Sequence, residues 1–187
     1  WTAAAQMSLI YISKNMPEIS LPVYTSDNEG YLTKTGDFSI SNFTCLNTVC
    51  ESGLKGEIFN ISDFDNRFSN IKPDILHIDK DAKKIILIEV KTLSESVARN
   101  AVLYHELRDY LIDPPWECEL LYLLSHGHEK RMDWPILAGH RSTIILWEDL
   151  FKIMAESPIA FVIGDSLIEY CEPPVSRSRH IEGSRSD

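Results

Sequence analysis

Apolar positions recur along this chain with two different periods, and the changes of period mark out its elements. The clearest stretch runs from Ile71 to Lys91. Asp74 to Ile78 alternates and is rich in Ile and Leu, Asp79 to Lys84 is charged and carries turn residues, and Ile85 to Val90 is an almost unbroken β-branched and Leu run. This predicts two strands joined by a tight turn, the second covered on both faces. The period then lengthens. Val97, Ala101, Leu103, Tyr104, Leu107, Tyr110 and Leu111 fall on one broad helical face, with Glu95, Arg99, His105, Glu106 and Asp109 opposite, which predicts a helix over 95–112. Thr92 and Glu95 have capping-box spacing, and Asp113-Pro-Pro115 stops the helix.

The flanking regions read less sharply. Residues 2–14 predict a short helix broken at Asn15 to Pro17, and 18–36 a loop with one or two short strands. From Ser41, a candidate N-cap, the positions Phe43, Leu46, Cys50 and Leu54 have a helical period that Gly53 and Gly56 would end. Glu57 to Ile61 is the expected first core strand, and Ser62 to Asn70 a loop. Beyond the central helix, strands are expected at Glu119–Leu124, Ser142–Trp147 and Ala160–Ile163, with a charged loop over 129–141 and a short helix after Trp147. Strands alternating with helices predict an α/β fold with a mixed central sheet flanked by helices. Residues 1–172 are expected to form one domain, and the Ser/Arg-rich 173–187 a flexible tail.

The central hairpin ends in charge. Glu89 and Lys91, two apart on a strand, share a face. Asp74 opens the neighbouring strand, so hairpin pairing brings all three charged groups to one end of an apolar sheet. Two carboxylates about 4 Å apart repel by roughly 1 kcal/mol in water and about 4 kcal/mol at a protein surface. A divalent cation would turn that repulsion into attraction, and carboxylate oxygens are the hard ligands that Mg²⁺ takes.

Pro73-Asp74, then fourteen residues, then Glu89-Val90-Lys91 resembles the PD-(D/E)xK nuclease signature. The likeness is close over the hairpin and looser to about residue 147. It implies a restriction-endonuclease-like αβββαβ core and a divalent-metal-dependent nuclease hydrolysing phosphodiester bonds, an endonuclease with DNA the first expected substrate and RNA the alternative. It implies Mg²⁺ or Mn²⁺ on Asp74, Glu89 and the Val90 carbonyl, with Lys91 orienting water or neutralising phosphate charge. The family often adds an acid from a helix before the first core strand; Glu51 fits that description, with Glu57 as the alternative. Asn100-x-x-x-Tyr104 is similar to the Gln-x-x-x-Tyr element of the RecB-like members, which implies substrate contact by Asn100 and Tyr104. The alternative is a catalytically inactive module of the same fold that binds nucleic acid or protein. Homodimerisation or a larger assembly is compatible with either.

Composition changes this picture in two ways. A formal charge of −10 and a pI near 5 exclude a generally basic nucleic-acid coat protein, although a local basic groove can coexist with an acidic exterior. Cys45, Cys50, Cys118 and Cys171 form no C-x-x-C pair and too sparse a set for a disulfide scaffold. They read as reduced thiols, which, with no apolar run of membrane-spanning length and no secretory pattern, sets the expected location as cytoplasmic or nuclear. Ser125-His-Gly-His128 is a candidate metal or phosphate site against the simpler reading of a polar loop.

Overall fold

A computed structural model of the chain describes residues 1–41, 43–44, 47–50, 65–68, 70–91, 97–111, 117–128 and 133–155, with side chains omitted at 50, 66 and 98–100. These residues form an α/β protein with four helices and a seven-stranded mixed open sheet. In chain order they are α1 (Thr2–Asn15), β1 (Ser20–Ser26), β2 (Leu32–Ser39), β3 (Thr48–Cys50), a 3₁₀ turn (Asn66–Phe68), β4 (Ile75–Asp79), β5 (Lys84–Val90), α2 (Ala98–Leu111), β6 (Glu117–Leu124), α3 (Asp133–Gly139), β7 (Thr143–Leu146) and α4 (Trp147–Ala155). The sheet order is β2-β1-β7-β6-β5-β4-β3. β5, β6 and β7 run parallel, linked through α2 and α3, and the remaining pairs are antiparallel.

The unbroken apolar run of β5 is explained by two cores. Ile85 and Leu87 face a core shared with Tyr104, Leu107 and Leu111 of α2 and Trp134 and Leu137 of α3. Ile86, Ile88 and Val90 face Ala5, Leu9 and Ile12 of α1 and Leu150, Phe151 and Met154 of α4. Helices thus cover both faces, and every second residue of β5 serves a different core. Leu107 is fully buried, so its truncation to Ala should cost about 2–5 kcal/mol. The β4–β5 turn forms as its residues dictate. Asp79 Oδ1 accepts the backbone N–H of Asp81 and Ala82 at 3.1 and 2.9 Å, and Lys83 takes φ 56°.

Several expectations need correction. The helix from Ser41 does not form over the described residues: Thr48–Cys50 is the edge strand β3, in antiparallel register with Ile75–His77 of β4. The three- and four-residue spacing came from separate roles. Phe43 stacks on buried His77 with ring centroids 4.0 Å apart, while β-branched Thr48 and Val49 extend the sheet. The region 18–36 is a well-formed β1–β2 hairpin, its turn closed by Asp27 Oδ1 accepting Glu29 and Tyr31 N–H groups. Residues 133–139 of the expected charged loop are α3, with Pro135 in its first turn where a missing N–H is tolerated. His105, placed on the polar face of the central helix, is 3% exposed and bonds Ser142 Oγ at 2.9 Å. Cys118 is a buried free thiol whose pKa burial pushes up to about 12. No helix among the described residues is long and apolar enough to cross a membrane. The Glu57–Ile61 and Ala160–Ile163 strands and the tail from 173 lie outside the described residues.

Candidate metal centre at the end of β5

Register and strand parity build this site. β4 pairs with β5 from Asp79↔Lys84 to Ile75↔Ile88. One step beyond that ladder, Asp74 meets the end of β5: its Oδ2 accepts the Val90 N–H at 2.8 Å, in place of a backbone carbonyl. Glu89 shares parity with Leu87 and so lies on the α2 side, and Lys91 follows it on the same side. Lys91 Nζ lies 2.5 Å from Glu89 Oε1 and 3.9 Å from Asp74 Oδ2. Two carboxylates therefore look toward one cation at the lip of the sheet.

Burial is graded across the three groups. The Glu89 side chain is 6% exposed, Lys91 17% and Asp74 23%. Burial holds the Glu89 pKa above the ordinary carboxylate range, and the neighbouring Asp74 charge adds to the rise, while Lys91 opposes it. Tyr104 walls the cluster from α2. Its hydroxyl donates to the Lys72 carbonyl at 3.0 Å. Burial, then the nearby Glu89 charge, raise its pKa and keep the phenol protonated. The backbone at Lys91 is held on both sides: its N–H donates to Leu123 O at 3.0 Å, and its carbonyl accepts the Trp147 indole N–H at 3.1 Å.

Of the residues singled out from sequence, Asp74, Glu89, Val90, Lys91 and Tyr104 come together here. Val90 is tied in through its N–H. Asn100 is on α2, but its side chain lies outside the described residues, as do Glu51 and Glu57. Sequence reasoning missed Thr2, whose hydroxyl lies 3.4 Å from Asp74 Oδ1, and Trp147. Neither carries a local signal, since both reach the site through tertiary packing.

Ser125-His-Gly-His128 divides into two parts. Ser125 Oγ and the His126 N–H both donate to Glu148 Oε1, fixing the start of α4. His128 is buried, with Nε2 2.8 Å from Asp133 Oδ2, which also accepts the Val97 N–H at 2.9 Å. That histidine joins a knot between β6, α2 and α3.

The donor set suits a hard cation. Among the described residues no group of three or more His, Cys, Asp or Glu side chains gathers as a metal cage. A Mg²⁺ ion commonly takes one or two carboxylates, completing its shell with water and substrate phosphate, and Asp74 with Glu89 supply that number. No protein-family model, curated protein or solved structure matches this chain.

Proposed function

We propose that this chain is a divalent-metal-dependent nuclease that hydrolyses phosphodiester bonds, an endonuclease with DNA as its first substrate. The observation that carries the reading is the placement of Lys91 Nζ within 4 Å of both carboxylates at one strand end. The architecture supports it. α1, the antiparallel run β3–β4–β5, the α2 crossover and parallel β6 follow the order of a restriction-endonuclease-like αβββαβ core, with the β1–β2 hairpin added after α1.

Asp74 and Glu89 would hold Mg²⁺ or Mn²⁺, with the Val90 carbonyl as a further oxygen donor. Such an ion polarises a phosphate and acidifies bound water. The chain's own residues do the rest. The Val90 N–H orients the Asp74 carboxylate. Lys91, whose ammonium lies against Glu89 and 3.9 Å from Asp74, would neutralise charge building on the phosphate and position the attacking water. Tyr104 and Leu124 of the α2-side core exclude bulk water from beneath the site, which strengthens each of these charge interactions.

The direct test is incubation of supercoiled plasmid, linear DNA and single-stranded RNA with and without Mn²⁺. Cleavage is expected only with the metal and only for the wild type among Asp74→Ala, Glu89→Ala and Lys91→Ala. Equal cleavage by all four proteins would reject the site.

A second reading is a module of this fold that binds without cutting. It is favoured by the Lys91 bridge itself, which gives the buried Glu89 a direct cationic partner from within the chain and lies 3.9 Å from Asp74. Calorimetry with Mn²⁺ separates the two, because a binding module should show no heat that depends on Asp74 and Glu89.

A further inference from the structure

Around Lys72, two residues before Asp74, the surface opens into a cleft of about 230 Å³, lined by Arg67, Asn70, Ile71, Lys72, Leu103 and Tyr104. Tyr104 is the shared residue: it lines the cleft, its hydroxyl donates to the Lys72 carbonyl, and it lies close enough to Glu89 and Asp74 for their charges to raise its pKa. The two cations on the rim differ. Arg67 is held by Asp65 at 2.8 Å and Glu106 at 3.5 Å, with its guanidinium over the Phe68 ring. Lys72 is exposed, two residues before Asp74, and its ammonium has no carboxylate partner among the described residues.

The cleft therefore pairs an ammonium that has no carboxylate partner among the described residues with an apolar wall of Ile71, Leu103 and Tyr104. The chain as a whole carries −10, so a nucleic-acid backbone is repelled by most of its surface. A nucleotide has the two halves this cleft offers to receive, a phosphate and a flat base. Its volume is below the roughly 300 Å³ floor of drug-sized pockets, which suits one base and not a stacked, paired step.

We propose, resting on the nuclease reading above, that this cleft holds one unpaired nucleotide of the cut strand, adjacent to the scissile phosphate. Lys72 meets its phosphate and the base lies against Leu103. The substrate is then single-stranded or locally unpaired nucleic acid. Lys72 is a positioning residue, acting on affinity and not on the chemical step.

The test is fluorescence anisotropy of the full chain with a short fluorescein-labelled oligonucleotide, in EDTA so that nothing is cut, across a salt series. Single strands should bind more tightly than the same sequence as a duplex. Lys72→Ala should lower the slope of log affinity against log salt by about 0.7, the single-strand value for one phosphate. It should weaken binding about fivefold, as for one charge pair near 4 Å in water. Lys72→Arg should restore the slope, which a folding defect would not. In Mn²⁺ cleavage assays, Lys72→Ala should raise KM by the same factor and leave kcat unchanged. Equal slopes for wild type and Lys72→Ala, or duplex bound as tightly as single strand, overturns the proposal. The two readings fail separately. Lys72-dependent strand binding without any Mn²⁺-dependent cutting keeps the cleft and removes the nuclease. Cutting with an unchanged KM in Lys72→Ala keeps the nuclease and removes the cleft.

Discussion

Two carboxylate clusters sit on the α2 side of this sheet, and they solve the cost of burial in opposite ways. Asp133 and His128 are fully buried, one acid to one histidine, with the Val97 N–H as a second donor to the same oxygen. Asp74, Glu89 and Lys91 set two acids against one cation, with Glu89 buried and Asp74 and Lys91 partly open to solvent. A buried charge needs a partner and a full set of hydrogen bonds. The first cluster pairs its acid from three elements and closes, leaving His128 Nδ1 with no hydrogen-bond partner among the described residues. The second keeps an excess of negative charge facing outward, which is poor economy for stability and suitable chemistry for a cation. Similar residue types thus read as structure in one place and as a candidate site in the other, and the difference lies in charge balance and exposure.

The largest expected effect breaks this comparison in both directions. Asp74→Ala should cut Mn²⁺-dependent plasmid nicking by at least about 10²-fold, and should destabilise by no more than about 1–3 kcal/mol, for the one N–H it strands at Val90. Asp133→Ala should leave nicking by the folded protein within a few-fold of wild type. It should destabilise by about 1–3 kcal/mol for each of the two buried donors it strands, Val97 N–H and His128 Nε2. If Asp133→Ala abolished nicking without loss of stability, the division between the clusters would be wrong.

Metal linkage comes next. An ion that binds only the folded state stabilises it by about 2.7 kcal/mol at a hundredfold excess over Kd. Mn²⁺ should therefore raise the melting temperature of wild type and of Asp133→Ala alike. It should raise neither Asp74→Ala nor Glu89→Gln. A rise retained in Glu89→Gln would move the cation away from this carboxylate.

The pH dependence is smaller and has a definite sign. Glu89 titrates above its ordinary value in the folded chain because of burial first and Asp74 second. Between the unfolded and folded pKa values the native state binds the extra proton, so stability falls as pH rises through that window. Metal affinity rises over the same window, since the ligand must lose its proton. Two other groups act in the acid range. Burial lowers the pKa of His77 and of His105 to about 4, so each contributes stability that is lost as pH falls from about 6.5 toward 4. The difference between wild type and Glu89→Gln at each pH cancels the histidines and isolates Glu89. A difference that does not change with pH would contradict the raised pKa.

How much of this was legible beforehand followed the length scale of each feature. The β4–β5 hairpin and the core of α2 could be read because strand parity and helical period are local and sustained. The same parity put Asp74, Glu89 and Lys91 together. β3 could not be read, because three residues are too few for a period, and the helical spacing of Phe43 and Cys50 does not reflect a helix at Thr48–Cys50. The β1–β2 hairpin was hidden by its polar strands, for β2 is exposed or half-exposed at all but Phe38. His105 looked like surface because its partner Ser142 lies on another element. Trp147, Thr2 and the Tyr104–Lys72 bond reach the site across 32 to 72 positions of sequence, and nothing local announces them.

The smallest effect tests whether the open cluster is held in position as firmly as the closed one. Trp147 is 2% exposed, stacked on Phe151 at 5.1 Å and edge-on to Trp1 at 5.5 Å. Its indole N–H anchors the Lys91 carbonyl from the opposite face of the sheet. Trp147→Phe keeps an aromatic ring there and removes the donor, so the stability loss should be near the worth of one hydrogen bond, about 0.5–1.5 kcal/mol, plus the smaller ring's packing deficit. The informative measurement is the split between kcat and KM. Freed at its carbonyl, Lys91 should meet the phosphate less well in the transition state, lowering kcat by no more than about tenfold for each 1.36 kcal/mol lost. KM and Mn²⁺ affinity should hold, because Asp74 and Glu89 are untouched. A loss of Mn²⁺ affinity instead would mean that Trp147 positions the acids, and that the end of β5 moves as one unit rather than as a fixed carboxylate pair with a separately anchored lysine.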